Sequence, residues 1–221
     1  MNFETARKNL IEQQIRTWNV YSSEVIKSLY KVPRENFVPY KYRKYALSDF
    51  QVPLNINDSM LSPLVEGRVF QSALTKNCGE ILEIGSGSGY MAALLAQVYK
   101  SVITIEIDKT LFEQANENLK RNKINNVQVF QGDGLKIDNR WSNKKFDAIV
   151  ISGGIKSSPL FLRDSLSFNG RIIAFMENGP IMNSVILKKN YNYGFLEMVL
   201  FETKVNYLKQ ENLPVKFKFY L

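Results

Sequence analysis

Two carboxylates and three closely spaced glycines are the residues whose types and spacing point most directly to chemistry. The short apolar run Ile81-Leu82-Glu83-Ile84 ends in Gly85-Ser86-Gly87-Ser88-Gly89-Tyr90, and a helix-like run to Gln97 follows. Glycine lacks a Cβ, so such a turn is tight and a ligand lies directly against backbone amides. The pattern is G-x-G-x-G with an acid, Glu83, two residues before the first glycine. A dinucleotide fingerprint, G-x-G-x-x-G, requires glycine at position 90, where Tyr90 stands. The difference points away from NAD and towards S-adenosylmethionine, which has no pyrophosphate to seat but carries an amino-acid end that a carboxylate holds.

Three further groups fall where an adenosyl ligand needs them. Glu106 ends the apolar run Val102 to Ile105, about 20 residues past the loop, the separation expected of a ribose-binding acid. Ile107 follows it. Gly132-Asp133-Gly134 comes after Val127 to Phe130, with Asp133 placed to accept from an adenine amino group. Ser152-Gly153-Gly154 comes after Phe146 to Ile151 and forms a floor beneath the transferred methyl. Taken singly, each has a plainer explanation. Glu106 is then a solvated strand end and Asp133 a turn residue; Asp147, outside these groups, reads as a strand-start or helix-cap residue rather than a catalytic one. Four in order, each at a strand's carboxyl end, are the pattern of a ligand site in an open α/β sheet.

The elements that must position these groups follow from periodicity. Helices are expected at 3–17, from Ser22 or Ser23 to about Lys31, from Pro63 to about Leu74, and at 89–98, 109–121, 158–166 and 180–188. Strands are expected at 80–84, 101–105, 127–130, 146–151, 170–176, 194–203 and 214–220. Strand–helix alternation with short turns implies right-handed crossovers and a parallel sheet covered on both faces. The short Lys-Gln-Glu-Asn-Leu-Pro connection should join the last two strands as a hairpin. The expected fold is α/β: a Rossmann-like methyltransferase sandwich. It has a mostly parallel seven-stranded sheet, a C-terminal antiparallel hairpin and a helical N-terminal extension. The expected organisation is one methyltransferase domain over 1–221. Residues 1–75 form a helical substrate-side segment and 76–221 the cofactor-binding core.

Composition narrows the chemistry. The 221 residues include no histidine, which removes imidazole bases, Ser-His-Asp triads and histidine-ligated metals. No metal is expected. A lone cysteine, Cys78, excludes an intrachain disulfide and fits a cytoplasmic setting. No apolar run is long enough to span a membrane and no signal peptide is evident. The net charge is +8, yet the lysines are scattered and form no basic stripe, so the charge is read as compositional rather than as a nucleic-acid interface.

Val32-Pro33-Arg34-Glu35-Asn36-Phe37-Val38-Pro39 is more specific than any of these motifs. With Tyr42-Arg43, Ala46, Asp49, Pro53-Leu54, Ser62-Pro63, the glycine loop, Gly132-Asp133-Gly134, Phe146 to Ile149 and Gly170-Arg171, it resembles the protein-L-isoaspartate O-methyltransferase family over roughly residues 5 to 180. The resemblance implies an enzyme that uses S-adenosyl-L-methionine to methylate the carboxylate of L-isoaspartyl residues in damaged proteins. The ester then collapses to a succinimide, which partly returns to aspartate. The implied partners are proteins or peptides bearing isoaspartate. The implied cofactor-binding residues are Glu83, Gly85, Ser86, Gly87, Gly89, Glu106, Ile107, Gly132, Asp133, Gly134 and Ser152.

The chain departs from the family at one point. The family carries Thr-Ile-Ser-x-Pro, with the serine hydroxyl at the active site, whereas this chain reads Ser59-Met60-Leu61-Ser62-Pro63. Leu61 occupies the serine position. Ser62, the catalytic candidate, stands one residue late, and a one-residue shift in extended chain turns a side chain to the other face. Downstream, Glu66 would repel an acceptor carboxylate and Arg68 would attract one, unless the two pair along a helix. Three readings therefore share the scaffold: an isoaspartyl methyltransferase with a displaced serine, a divergent methyltransferase with another acceptor, and a cofactor-binding protein that has lost the reaction.

Overall fold

The computed structural model describes residues 2–136, 140–141, 143–190 and 194–209. A seven-stranded sheet runs through the chain in the order β3-β2-β1-β4-β5-β6-β7. Its strands are β1 (Glu80–Ile84), β2 (Ser101–Glu106), β3 (Val127–Gln131), β4 (Phe146–Ile155), β5 (Leu166–Asn178), β6 (Ile181–Lys189) and β7 (Phe195–Glu202). The pairs β1–β2, β1–β4, β2–β3 and β4–β5 are parallel, and β5–β6 and β6–β7 are antiparallel. Strand order reverses direction at β1, between β2 and β4, and the glycine turn leaves β1 at that switch point.

The helices are α1 (Phe3–Leu10), α2 (Ser23–Lys31), α3 (Pro63–Ala73), α4 (Tyr90–Leu95) and α5 (Lys109–Arg121). Three of them, α1, α2 and α5, begin at a side-chain cap. Asn2 accepts from the amides of Glu4 and Thr5, Ser22 from Val25, and Asp108 from Thr110 and Leu111. Each satisfies an amide that the first turn leaves unpaired. The expected 3–17 helix is continuous but changes pitch: α1 passes into a π turn at Ile11–Ile15 and a 3₁₀ turn at Arg16–Trp18. It stops at Asn19, whose φ is 61°. The 158–166 segment forms only a 3₁₀ stretch, Leu160–Ser165.

One expectation is overturned. The 180–188 segment is strand β6, not a helix. Its apolar run is too short for periodicity alone to decide between the two. Gly179, at a φ of +63°, turns the chain so that Asn178 faces Ile181. The β-branched Ile181, Val185 and Ile186 then extend along β5. The antiparallel ending is therefore β5–β6, continued by β7. The expected strand at 214–220 lies outside the described residues.

A buried cluster on one side of the sheet joins N-terminal residues such as Leu10, Ile15, Phe37 and Phe70 to core residues such as Ile81, Leu94 and Val150. A second cluster on the other side gathers Leu82, Ile103, Ile149 and Ile172. Alternate residues of the central strands thus serve both faces, as a doubly covered parallel sheet requires. Among the described residues no helix is long and apolar enough to cross a membrane.

Candidate active site

The glycine turn is built by backbone geometry. Gly85, Gly87 and Gly89 have φ of 94°, 52° and 81°, values that side-chain-bearing residues rarely adopt. The amides of Gly85 and Ser86 donate to the carbonyl of Ile105 at 2.9 and 3.2 Å, tying the turn to the end of β2. Gly87 N donates to Glu106 Oε2 at 2.8 Å, so the loop and the ribose-position acid are one unit. A Cβ at Gly134 would meet Ile84 Cγ2 at 2.6 Å, so the turn after β3 closes directly on the end of β1.

These elements border an open cleft at the carboxyl ends of the parallel strands, the place where ligands bind in open α/β sheets. Its walls include Gly85, Gly87, Glu106, Ile107, Gly132, Asp133, Gly134 and Ser152. A second compartment of about 330 Å³ adjoins it, lined by Glu83, Ser86, Ser88, Met60, Leu61 and Glu66 among others. The two share Leu54, Ser59, Gly85, Gly87 and Ser152. Ten of the eleven cofactor-position residues named from sequence line one or other compartment. Gly89 lines neither. It starts α4, and a Cβ there would meet the backbone of Ala115 and the side chain of Leu119, so its part is helix packing.

Glu83 is fully buried. Thr104 Oγ1 donates to its Oε2 at 2.7 Å and Ser152 Oγ to its Oε1 at 3.0 Å. Burial pushes the carboxyl up to about 8, the Thr104 and Ser152 hydroxyls oppose that rise, and nearby Glu106 adds to it. Glu106 is also raised by burial, against the amides of Gly87 and Asp108 that favour its charge. Among the described residues neither carboxylate has an ion pair. The donor set is therefore two buried acids, bare glycine amides and hydroxyls, which suits a ligand bearing an ammonium, a ribose diol and an adenine ring. Asp133 accepts from Leu135 N at 3.0 Å and pairs with Lys136 at 3.4 Å, so it shapes its own turn as well as lining the cleft. Asp147 accepts from Gly79 N and Ser167 Oγ and joins strand ends, with no place in the cleft.

The acceptor side is built from distant residues. Arg34, buried and from the Val32 to Pro39 segment, donates to Glu66 Oε2 at 2.8 Å and Oε1 at 3.2 Å. It also donates to the carbonyls of Ala46 at 2.6 Å and Leu61 at 2.7 Å. Burial raises the Glu66 carboxyl and the Arg34 charge opposes it. The expected Glu66–Arg68 pairing does not form. Arg68 instead lies 4.2 Å over the Phe201 ring and donates to Leu200 O, away from the compartments. Ser62 is buried, starts α3 without capping it and lines neither compartment. Asp49 Oδ1 takes over the cap, accepting from Leu64 N at 3.2 Å. Leu61 faces the compartment where the family serine is expected.

Sequence reasoning missed a C-terminal strap. Asn206, Tyr207, Leu208 and Lys209 line the first compartment. Gly154 N donates to Asn206 O at 2.8 Å and Leu208 N to Gly154 O at 3.0 Å, so the strap adds briefly to β4. Lys209 Nζ reaches Asp58 at 2.6 Å and Asp108 at 3.4 Å. No motif marks this stretch, and only its contacts reveal it.

A seven-stranded sheet with this order, a glycine turn at the switch point and an acid ending the second strand defines a Rossmann-like methyltransferase. The comparisons narrow that class. The model of the Protein-L-isoaspartate(D-aspartate) O-methyltransferase (PCMT) family matches residues 5–207. A protein-L-isoaspartate O-methyltransferase 1 of Rhodopseudomonas palustris (strain HaA2) is 36% identical over 174 residues, covering 78% of this chain and 69% of the relative. One from Gloeobacter violaceus is 33% identical over 165 residues, covering 74% and 79%. In fold, the chain superposes with a TM-score of 0.80 on a structure described as such an enzyme from Plasmodium falciparum in complex with S-adenosyl-L-homocysteine. That match has 21% identity and covers 96% of this chain and all of the other. This chain belongs to the protein-L-isoaspartate(D-aspartate) O-methyltransferase family.

Proposed function

We propose that the chain is an S-adenosylmethionine-dependent O-methyltransferase acting on the carboxylate of L-isoaspartyl residues in proteins and peptides. The observation that carries this reading is the joined cleft. One compartment is lined by Glu106, Asp133 and the glycine turns, which suit the adenosyl part of the donor. It opens through Leu54, Ser59, Gly85, Gly87 and Ser152 into a second, where Glu83 and Ser86, which suit the donor's amino-acid end, meet Met60, Leu61 and Glu66 from the N-terminal part of the chain.

Bound donor supplies an electrophilic methyl group on a sulfonium. Glu83, Gly85, Ser86, Gly87, Glu106, Ile107, Gly132, Asp133, Gly134 and Ser152 hold it in this reading, and Gly89 acts only through helix packing. The acceptor carboxylate is already ionised at neutral pH, so the chain needs no general base, in keeping with its lack of histidine. Its task is to strip water from the carboxylate and hold it in line, where orientation contributes most. Arg34 neutralises Glu66 beside the acceptor compartment, so Glu66 does not drive the acceptor away. The acceptor is taken to be protein rather than nucleic acid, since the basic residues form no stripe. The lone Cys78 supports a cytoplasmic setting.

Transfer of labelled methyl to an isoaspartyl peptide, with the aspartyl isomer as control, tests the proposal. Base-labile label on the isoaspartyl peptide alone is expected. Tight S-adenosylhomocysteine binding with no transfer to that peptide would favour the divergent or binding-only alternatives.

A further inference from the structure

Methyl transfer to a carboxylate needs a group that fixes the carboxylate's direction without neutralising its charge. Such a group must stand beside the sulfonium, which falls where the two compartments meet, between Glu106 and Asp133 in the first and Glu83 in the second. Of the five residues common to both, only Ser59 and Ser152 carry hydroxyls. Ser152 Oγ donates to Glu83 Oε1 at 3.0 Å, so its proton is committed to the donor side. Ser59 Oγ donates to Gln51 Oε1 at 3.3 Å, longer than an ordinary hydroxyl hydrogen bond. Its oxygen accepts from Asn206 Nδ2, also at 3.3 Å. The partners themselves are well anchored: Gln51 Nε2 donates to Lys204 O at 2.6 Å and Asn206 Nδ2 to Asn57 O at 2.8 Å. The Ser59 oxygen is thus held between fixed neutral amides while its proton is only weakly engaged. The cation that sequence offered for this task, Arg68, is occupied with Phe201 and Leu200.

We propose that Ser59 orients the acceptor carboxylate, donating its Oγ–H to one carboxylate oxygen and leaving the other directed towards the donor's methyl group. The inference rests on the function proposed above. In the transfer an O–CH₃ bond forms and the S–CH₃ bond breaks, with the electron pair returning to sulfur and no proton moving. A neutral hydroxyl serves here because it never has to give up its proton. A cation at the same point would bind the carboxylate more tightly but also hold back its lone pair.

The test measures kcat and KM for an isoaspartyl peptide, together with calorimetric affinity for S-adenosylhomocysteine, in the unaltered protein and in S59A, S59T and S62A. S59A is expected to lower kcat/KM by roughly tenfold to a hundredfold, the range for a hydrogen bond to a charged group. The loss should appear in KM as well as kcat. S59T should restore most of it, and S-adenosylhomocysteine affinity should stay within about twofold throughout. That split is not what a merely structural serine would produce, because a collapsed loop would weaken donor binding too. Full activity in S59A, or loss in S62A with S59A spared, would overturn the proposal while leaving the function intact. An unaltered protein that transfers no methyl to the peptide would instead remove the function and this inference together.

Discussion

The two ends of the cleft are built on different principles. At the donor end, Glu83, Glu106 and the glycine turns sit at the ends of adjacent parallel strands, and the ladder sets their separation: Glu83 faces Thr104 across β1 and β2, and Val150 across β1 and β4. Glu83 on β1 is held only by the strands that flank it, through Thr104 of β2 and Ser152 of β4. At the acceptor end, Ser59 to Leu61 belong to no strand or helix. Arg34 holds Leu61 from 27 residues upstream, and Asn206 reaches Ser59 from 147 residues downstream. A backbone ladder positions the donor site, whereas a single isolated bridge between Pro53 and Ser59 together with long-range side-chain bonds positions the acceptor site. The first is robust to drift in side chains. The second changes whenever one anchor changes.

Cutting the strongest anchor breaks the comparison most sharply. Arg34→Met leaves Glu66 buried without its cation and should cost about 3–5 kcal/mol in urea unfolding. Adding Glu66→Leu should recover most of that stability, as replacement of both partners of a buried pair often does. Turnover of isoaspartyl peptide should nonetheless stay low, because Leu61 O has lost its donor. Recovery of turnover along with stability would show that Arg34 matters only to folding.

The donor end has its own weak point in Glu83. Its carboxyl is raised from 4.5 to about 8, so the folded protein keeps a proton that the unfolded chain releases between those values. Stability of the unliganded protein should therefore fall as pH rises across that window. Tm of the unliganded protein is expected to fall across that window, as read by scanning calorimetry. Glu83→Gln should flatten the curve. In the unaltered protein, affinity for S-adenosylhomocysteine should rise with pH up to about 8, as the ligand's ammonium meets an ionised Glu83, and Glu83→Gln should abolish that rise. An unchanged pH profile in the variant would exclude Glu83 from holding the ammonium.

Gly85→Val sharpens the same contrast from the backbone side. The residue has a φ of +94°, and its new Cβ would meet Leu208 Cδ2 at 2.9 Å. Strain of about 1–3 kcal/mol should weaken S-adenosylhomocysteine binding by roughly tenfold or more in calorimetry. The smallest effect belongs to Arg68→Ala. Loss of its stacking on Phe201 should cost about 0.5–1 kcal/mol of stability. KM for the isoaspartyl peptide should stay within about twofold, whereas a large increase would return Arg68 to the acceptor site.

Reading the chain worked best where the determinant was local. The limits of β1, α2 and α5 follow from apolar periodicity and capping residues such as Ser22 and Asp108, and the cofactor positions from glycines and acids at strand ends. It failed at β6, where Met182 to Leu187 is apolar enough for either element and the hairpin turn at Gly179 decides. It was incomplete at Gly89, whose value lies in contact with α5, and at the strap from Asn206 to Lys209, which carries no motif.

By itself, then, the sequence determined the class of chemistry: glycines at alternate positions allow a bare turn with positive φ, acids at strand ends offer acceptors to polar ligand groups, and the absence of histidine leaves a reaction that needs no imidazole. Only the tertiary structure decided which hydroxyl stands where the two compartments meet, what neutralises Glu66 and where Arg68 goes. Those outcomes depend on side chains meeting across 32 to 147 residues of chain, and no local pattern encodes such a meeting. Sequence spacing drew attention to Ser62. Folding buries it beneath α3 and leaves Ser59 at the junction of the two compartments.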